Sequence, residues 1–144
     1  MEINCRTVRT EEREGRAWLT TEEEALFSGW REAHGVPVIP AAWLPRLGVV
    51  AVVNEQDTAA AWLYMDNSVG VAFVEWMVTR PGLSLAEAKA AVGAVMGALK
   101  AEAAGNGYSL ILGHCIEPLA RVLVDSLGWT DIGSTARCVG TRTL

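Results

Sequence analysis

Long apolar runs are missing from this 144-residue chain, and none approaches the roughly 20 residues that a membrane span requires. Cysteine is sparse as well. Cys5, Cys115 and Cys138 lie far apart, and an odd count without Cys-x-x-Cys spacing excludes both a disulfide framework and a zinc site. These thiols are expected to be reduced and mostly buried. Positive charge is in deficit: the formal net charge is −5, with acidic clusters at Glu11–Glu14 and Glu22–Glu24. That balance argues against nucleic-acid phosphate as the main partner and favours a cationic or neutral one. The first residues, MEINCRTVRTEEREGR, are polar and charged, unlike a signal peptide. A soluble, cytoplasmic protein is expected, with no membrane partner and no metal. No repeat, low-complexity tract or linker divides it, so residues 1–144 are expected to form a single domain.

Hydrophobic residues make up 51% of the chain, enough for a globular core. CRTVRT at Cys5–Thr10 reads as a strand, and Arg13 to Leu19 as a further helical segment. TTEEEALFSGWREAHG is a helix opened by a threonine cap and closed at Gly35. VPVIPAAWLP, broken by Pro37, Pro40 and Pro45, sustains neither a helix nor a central strand and is expected to be an irregular, partly buried connection. Three apolar runs follow, at 47–53, 58–65 and 69–79, separated by the polar turns NEQD and DNS, which is the pattern of an antiparallel meander. From Ser84 to Ala104, Leu85, Val92, Val95, Met96, Leu99 and Ala103 recur at helical spacing until GNG ends the run. YSLILGHC (108–115) reads as a strand covered on both faces, EPLARVLVDSLGW (117–129) as a short helix stopped by Gly128, and IGSTARCVGT as one or two last strands.

A strand, a helix and a strand form a crossover that forces a parallel pair, while the meander before it is antiparallel, so the sheet is mixed. With PLARVLVDSLGW, closed by Leu127, Gly128 and Trp129, this order resembles the GNAT acyltransferases from Leu47 onward. The resemblance implies an α+β fold: a central mixed sheet, an antiparallel meander followed by a βαβ crossover, and helices on both faces. It also implies acetyl-CoA as cofactor and an amine as acceptor, either a small molecule or a protein N-terminus or lysine.

The family holds the cofactor pyrophosphate at a helix N-terminus, where unpaired N–H groups and the helix dipole favour an anion. Its Arg/Gln-x-x-Gly-x-Gly/Ala loop follows the fourth strand. In TRPGLSLAEAK, aligned on Pro81, Ser84 takes the place of the Arg/Gln, Glu87 that of the first glycine and Lys89 that of the last small residue. The motif is absent. Ser84 and Glu87 instead have the spacing of a capping box, which satisfies the same N–H groups from within the chain. If a cofactor binds, the resemblance puts it at the backbone of Val78, Thr79 and Arg80 and at Ser84, Leu85 and Ala86.

Glu75 stands in the middle of VAFVEWMV, where strand alternation places it on a face with Phe73 and Met77. Some family members carry a general-base glutamate on the equivalent strand, which suits Glu75 to accept an ammonium proton. The bland reading is a rim carboxylate paired with an arginine. His114, at the end of the fifth strand, would face the transferred acyl group, or be structural; Cys115 points to the other face. The tyrosine and asparagine common on the family's last helix fall on Val124 and Glu117, leaving Tyr64 or Tyr108 as substitute donors. The tryptophans, Trp30, Trp43, Trp62 and Trp76 among them, line an acceptor pocket or simply build the core. Gly93, Gly97, Ala86, Ala90, Ala94 and Ala101 make one helix face small, which permits close packing on the sheet or on a second copy in a homodimer.

Two functions stay open. One is an acyl-CoA-dependent N-acyltransferase in which backbone N–H groups near Val78 to Arg80 polarise the acyl carbonyl and Glu75 takes the amine proton. The other is a silent binding or structural module that keeps the fold and has lost the cofactor site. An unrelated α+β protein is a third, weaker reading.

Overall fold

The computed structural model describes residues 1–9, 11–13, 16–65 and 70–133. The chain divides into two compact units, Met1–His114 and Cys115–Leu144. In the first, β1 (Ile3–Arg9) precedes a small hairpin of β2 (Glu11–Arg13) and β3 (Arg16–Trp18), then α1 (Thr21–Ala33) and a single 3-10 turn, Ala41–Trp43. β4 (Leu47–Val53), β5 (Gln56–Met65) and β6 (Val71–Thr79) follow, then α2 (Leu85–Gly105) and β7 (Leu110–Gly113). The five-stranded sheet has the order β1-β4-β5-β6-β7. Its first three pairings are antiparallel and β6–β7 is parallel, so the mixed sheet expected from the crossover is present.

Local chemistry accounts for most boundaries. Thr20 caps α1 by accepting the Glu23 N–H, and Gly35 ends it at φ +67°. The β4–β5 hairpin turns on Asn54 and Glu55, both at positive φ, the conformation that matches the twist of paired strands. Two expectations fail. The segment from Arg13 to Leu19, expected to be helical, instead contains the end of β2 and all of β3, because Glu11–Arg13 pairs antiparallel with Arg16–Trp18. β7 is half-exposed rather than covered on both faces, and among the described residues it is paired only along β6.

Each face of the sheet carries a helix. Val8, Val50, Ala60, Trp62 and Val78 face α1, where Phe27 and Trp30 join them in one apolar cluster. The alternate residues Val49, Ala51, Ala59, Ala61 and Leu63 are equally sealed, and α2 lies across β4, β5 and β1. α2 buries Ala91, Val92, Val95, Met96, Leu99 and Ala103; Leu85, counted in the same stripe by spacing, is exposed at its first turn. Gly48 lies opposite Trp62 and makes room for its indole: a Cβ there would stand 2.6 Å from Nε1.

In the second unit, α3 (Glu117–Arg121) continues as one wide turn over Val122–Ser126, and Gly128 at φ +73° ends it. The turn expected at 66–68 and the last strands, from residue 134 onward, lie outside the described residues. Cys5 and Cys115 are exposed, not buried. Among the described residues no helix is long and apolar enough to cross a membrane.

Candidate active site

The crossover sets the site. β6 and β7 pair through four rungs, from Val71–Leu110 to Val74–Gly113, and β6 then runs on through Glu75 to Thr79 without β7 beside it. Parallel register puts the next residues, Glu75 and His114, side by side. His114 Nδ1 lies 2.9 Å from Glu75 Oε1, so the structure joins the two residues singled out as candidate catalysts. The carboxylate is 23% exposed and the imidazole 70%, which leaves the histidine between Glu75 and bulk water. Glu75 is paired with a histidine and not with an arginine.

The strand is irregular just there. Trp62 lies opposite Glu75 and Ala60 opposite Val78, so Trp76 and Met77 together oppose Ala61 in a β-bulge. The bulge breaks the alternation that would have set Met77 beside Glu75; Glu75 and Val78 share the α1 face instead. Trp76 sits at φ +61°, a left-handed conformation that costs a bulky residue about 1–2 kcal/mol. Two ties hold it. Arg31 donates to the Trp76 carbonyl at 2.9 Å, and the Trp76 indole donates to the Tyr64 hydroxyl at 2.7 Å. Tyr64 in turn donates to the Trp43 carbonyl at 2.8 Å. Burial first, and then the negative charge of Glu75, hold the Tyr64 phenol above its ordinary pKa, against the indole bond that lowers it. Its proton is committed to Trp43, which removes Tyr64 as a free acid.

Arg31 is a buried cation whose guanidinium lies 5.7 Å from the centre of the Trp62 ring, and burial pulls its pKa down. Sequence reasoning passed over it and over His34, whose Nε2 lies 2.8 Å from the Thr79 carbonyl. A signal was present: Phe27, Trp30, Arg31 and His34 fall at i, i+3, i+4 and i+7, so two polar residues continue the apolar face of α1.

Of the strand-end groups, Arg80 N–H donates to the Thr58 carbonyl at 2.7 Å and is unavailable to polarise an acyl oxygen. That bond makes Ala59–Thr79 the non-hydrogen-bonded rung, so the Thr79 N–H and carbonyl turn away from β5. Val78 lies on the neighbouring rung, facing Ala60, its side chain in the α1-side core.

At the head of α2 the capping box is complete. Glu87 N–H donates to Ser84 Oγ at 3.2 Å, and Ser84 N–H donates to Glu87 Oε2 at 2.9 Å. The Ser84 hydroxyl donates to the same carboxylate at 2.8 Å. These bonds, the backbone one first, hold the Glu87 carboxyl below its ordinary pKa, with the charge of Arg80 adding to them. A carboxylate therefore stands at the helix end where a phosphate would be received, with Leu85 and Ala86 directly behind it.

By sequence, no protein-family model and no curated protein matches the chain. Solved structures do match, and they show that the chain has the fold of the GNAT acetyltransferases. It is similar to an aminoglycoside acetyltransferase from an uncultured soil metagenomic sample, with a TM-score of 0.62 at 13% identity, over 98% of this chain and 100% of that one. It is also similar to the aminoglycoside N-acetyltransferase AAC(6')-Iy in complex with CoA, with a TM-score of 0.55 at 13% identity, over 98% and 94% of the two chains. A GNAT-family acetyltransferase of Streptococcus pneumoniae gives a TM-score of 0.54 at 16% identity, over 99% and 98%.

Proposed function

We propose that the chain is an acyl-CoA-dependent N-acyltransferase acting on a small-molecule amine. The observation that carries this reading is the Glu75–His114 contact, where β6 runs on past the end of β7, on a fold shared with acetyltransferases. Acetyl-CoA supplies an activated acyl carbon. What supports its acyl end is the Thr79 N–H, which turns away from β5 four residues along β6 from Glu75, the Thr79 carbonyl being taken by His34. The residues present fit its phosphates less well: Ser84, Leu85 and Ala86 would hold a pyrophosphate only with the Glu87 carboxylate turned off the cap. Glu75 receives the ammonium proton and leaves a neutral amine to attack; as its N–C bond forms the acyl C–S bond breaks and the departing thiolate takes the second proton shed by the nitrogen, while His114, hydrogen-bonded to the carboxylate and open to water, carries protons outward. Arg31 and Tyr64 keep the bulge next to Glu75 in place.

Glu75→Gln keeps the size and shape of the side chain and removes the base. Turnover of acetyl-CoA with an amine is expected to fall by about 10²-fold or more, the usual worth of a positioned base, with acetyl-CoA affinity within a few-fold of the parent by calorimetry. Unchanged turnover would remove Glu75 from the mechanism. A second reading, a module that keeps the fold without the chemistry, is favoured by Glu87 on the head of α2. Calorimetric silence at millimolar acetyl-CoA would select it.

A further inference from the structure

The acceptor side carries more information than the cofactor side. From His34 to Leu44 the chain forms a strap along β6 on the α1 face. It is fastened at one end by His34 to the Thr79 carbonyl and at the other by the Trp43 carbonyl to Tyr64. Tyr64 lies opposite Phe73, so Glu75 falls between the two fastenings along β6. The strap is anchored by the buried side chains of Ala41 and Leu44, with Ile39 partly buried against the same core. Apart from His34, what it leaves outward is apolar: Val36 is 43% exposed, Val38 44% and Trp43 59%. Single exposed apolar residues need no explanation, but here three lie on one short strap that borders a half-buried carboxylate.

Charge narrows the occupant. The strap contains no aspartate or glutamate, and Glu32, the acid nearest before it in the chain, is exposed on the outward side of α1. Among the described residues of β5 and β6, the other carboxylate, Asp57, is bound through both oxygens by Arg6. Among the described residues of the strap, β5 and β6, Glu75 is therefore the one acidic group offered to a cation, through the oxygen that His114 does not hold, with the buried charge of Arg31 close behind the bulge. A polycation would meet a single carboxylate and a nearby guanidinium. A monocation with an apolar, flat body would match both the charge and the indole face.

We propose that the acceptor is a small primary monoamine on an aryl or similarly flat apolar body, with its ammonium at Glu75 and its body on Trp43. This rests on the acyl-transfer reading above and departs from the aminoglycosides in the names of two of the similar structures.

The test is equilibrium binding to the whole chain, by tryptophan fluorescence and calorimetry, with and without acetyl-CoA. The probes are 2-phenylethylamine, ethylamine and kanamycin. Phenylethylamine is expected to bind saturably and about ten-fold more tightly than either of the others, the scale of one good aromatic contact. Trp43→Ala should erase that preference while leaving the far-UV spectrum unchanged, and Trp43→Phe should restore most of it. Kanamycin binding more tightly than phenylethylamine, or an aryl preference that survives Trp43→Ala, would overturn the assignment. The acyl-transfer reading fails differently: no thiol is released from acetyl-CoA with any amine, while arylamine binding remains measurable. Absence of arylamine binding under both conditions overturns the acceptor assignment even where another amine is turned over.

Discussion

Gly48→Ala tests the packing beneath the site. The added methyl would lie 2.6 Å from Nε1, 2.9 Å from Cδ1 and 3.1 Å from Cε2 of Trp62, whereas carbon atoms prefer about 3.5–4.0 Å. The indole must therefore retreat by about 1 Å, and it has little room. Trp62 is fully buried, stands edge-on to Phe27 at 5.2 Å and lies under the Arg31 guanidinium. Overpacking of this kind costs about 1–3 kcal/mol, and a rigid ring in a sealed core belongs near the top of that range. Alanine regains about 0.5–1 kcal/mol over glycine in a strand. The net expectation is a loss of about 2 kcal/mol, a large part of the 5–15 kcal/mol typical of a domain, yet small enough for the variant to fold. Urea denaturation followed by circular dichroism should show a lower midpoint at constant slope. The same substitution in a Trp62→Phe background, where the pyrrole nitrogen is gone, should cost less than about 1 kcal/mol, giving a coupling above 1 kcal/mol. Equal costs in the two backgrounds, or a neutral Gly48→Ala, would show that the ring does not rest on Gly48.

Further outcomes concern the ties around the site. Ser84→Ala should destabilise the chain by about 1 kcal/mol in denaturant melts. The Glu87 carboxyl has its pKa lowered in the folded state, so its contribution should be complete above the ordinary value of 4.5 and be lost as pH falls through the lower folded value. A pH–stability curve whose acid limb is unchanged in Glu87→Gln would refute that linkage. Arg31→Met leaves the Trp76 carbonyl without its donor and should cost about 1.5–3 kcal/mol, less whatever relief comes from no longer burying a charge. Arg31→Lys should recover only part of it, because an ammonium cannot lie flat over Trp62 while reaching the carbonyl; full recovery would mean that charge alone matters.

The meander, the hairpin at Asn54 and Glu55 and the Ser84–Glu87 box were legible because each is written in a few neighbouring residues. Glu75 was legible as a carboxylate out of place in an apolar strand. Its contact with His114 needed the parallel register, which depends on where β7 begins and not on any motif. The bulge left no local mark: no glycine stands at Trp76, and its left-handed backbone is imposed by Arg31 and Tyr64, 45 and 12 residues away in sequence. The segment from Arg13 to Leu19 misled for the opposite reason, since Arg and Ala favour helix and only pairing makes Arg16–Trp18 a strand.

Trp76 also binds the chain's freedom to diverge at three separate places. A glycine at that position would take φ +61° without steric cost, and the peptide would no longer need Arg31 or Tyr64 to hold it. With tryptophan present, replacing either partner alone leaves a strained backbone with one tie. Loss of Arg31 or Tyr64 should therefore cost less in a chain that already carries glycine at 76 than in one with tryptophan there.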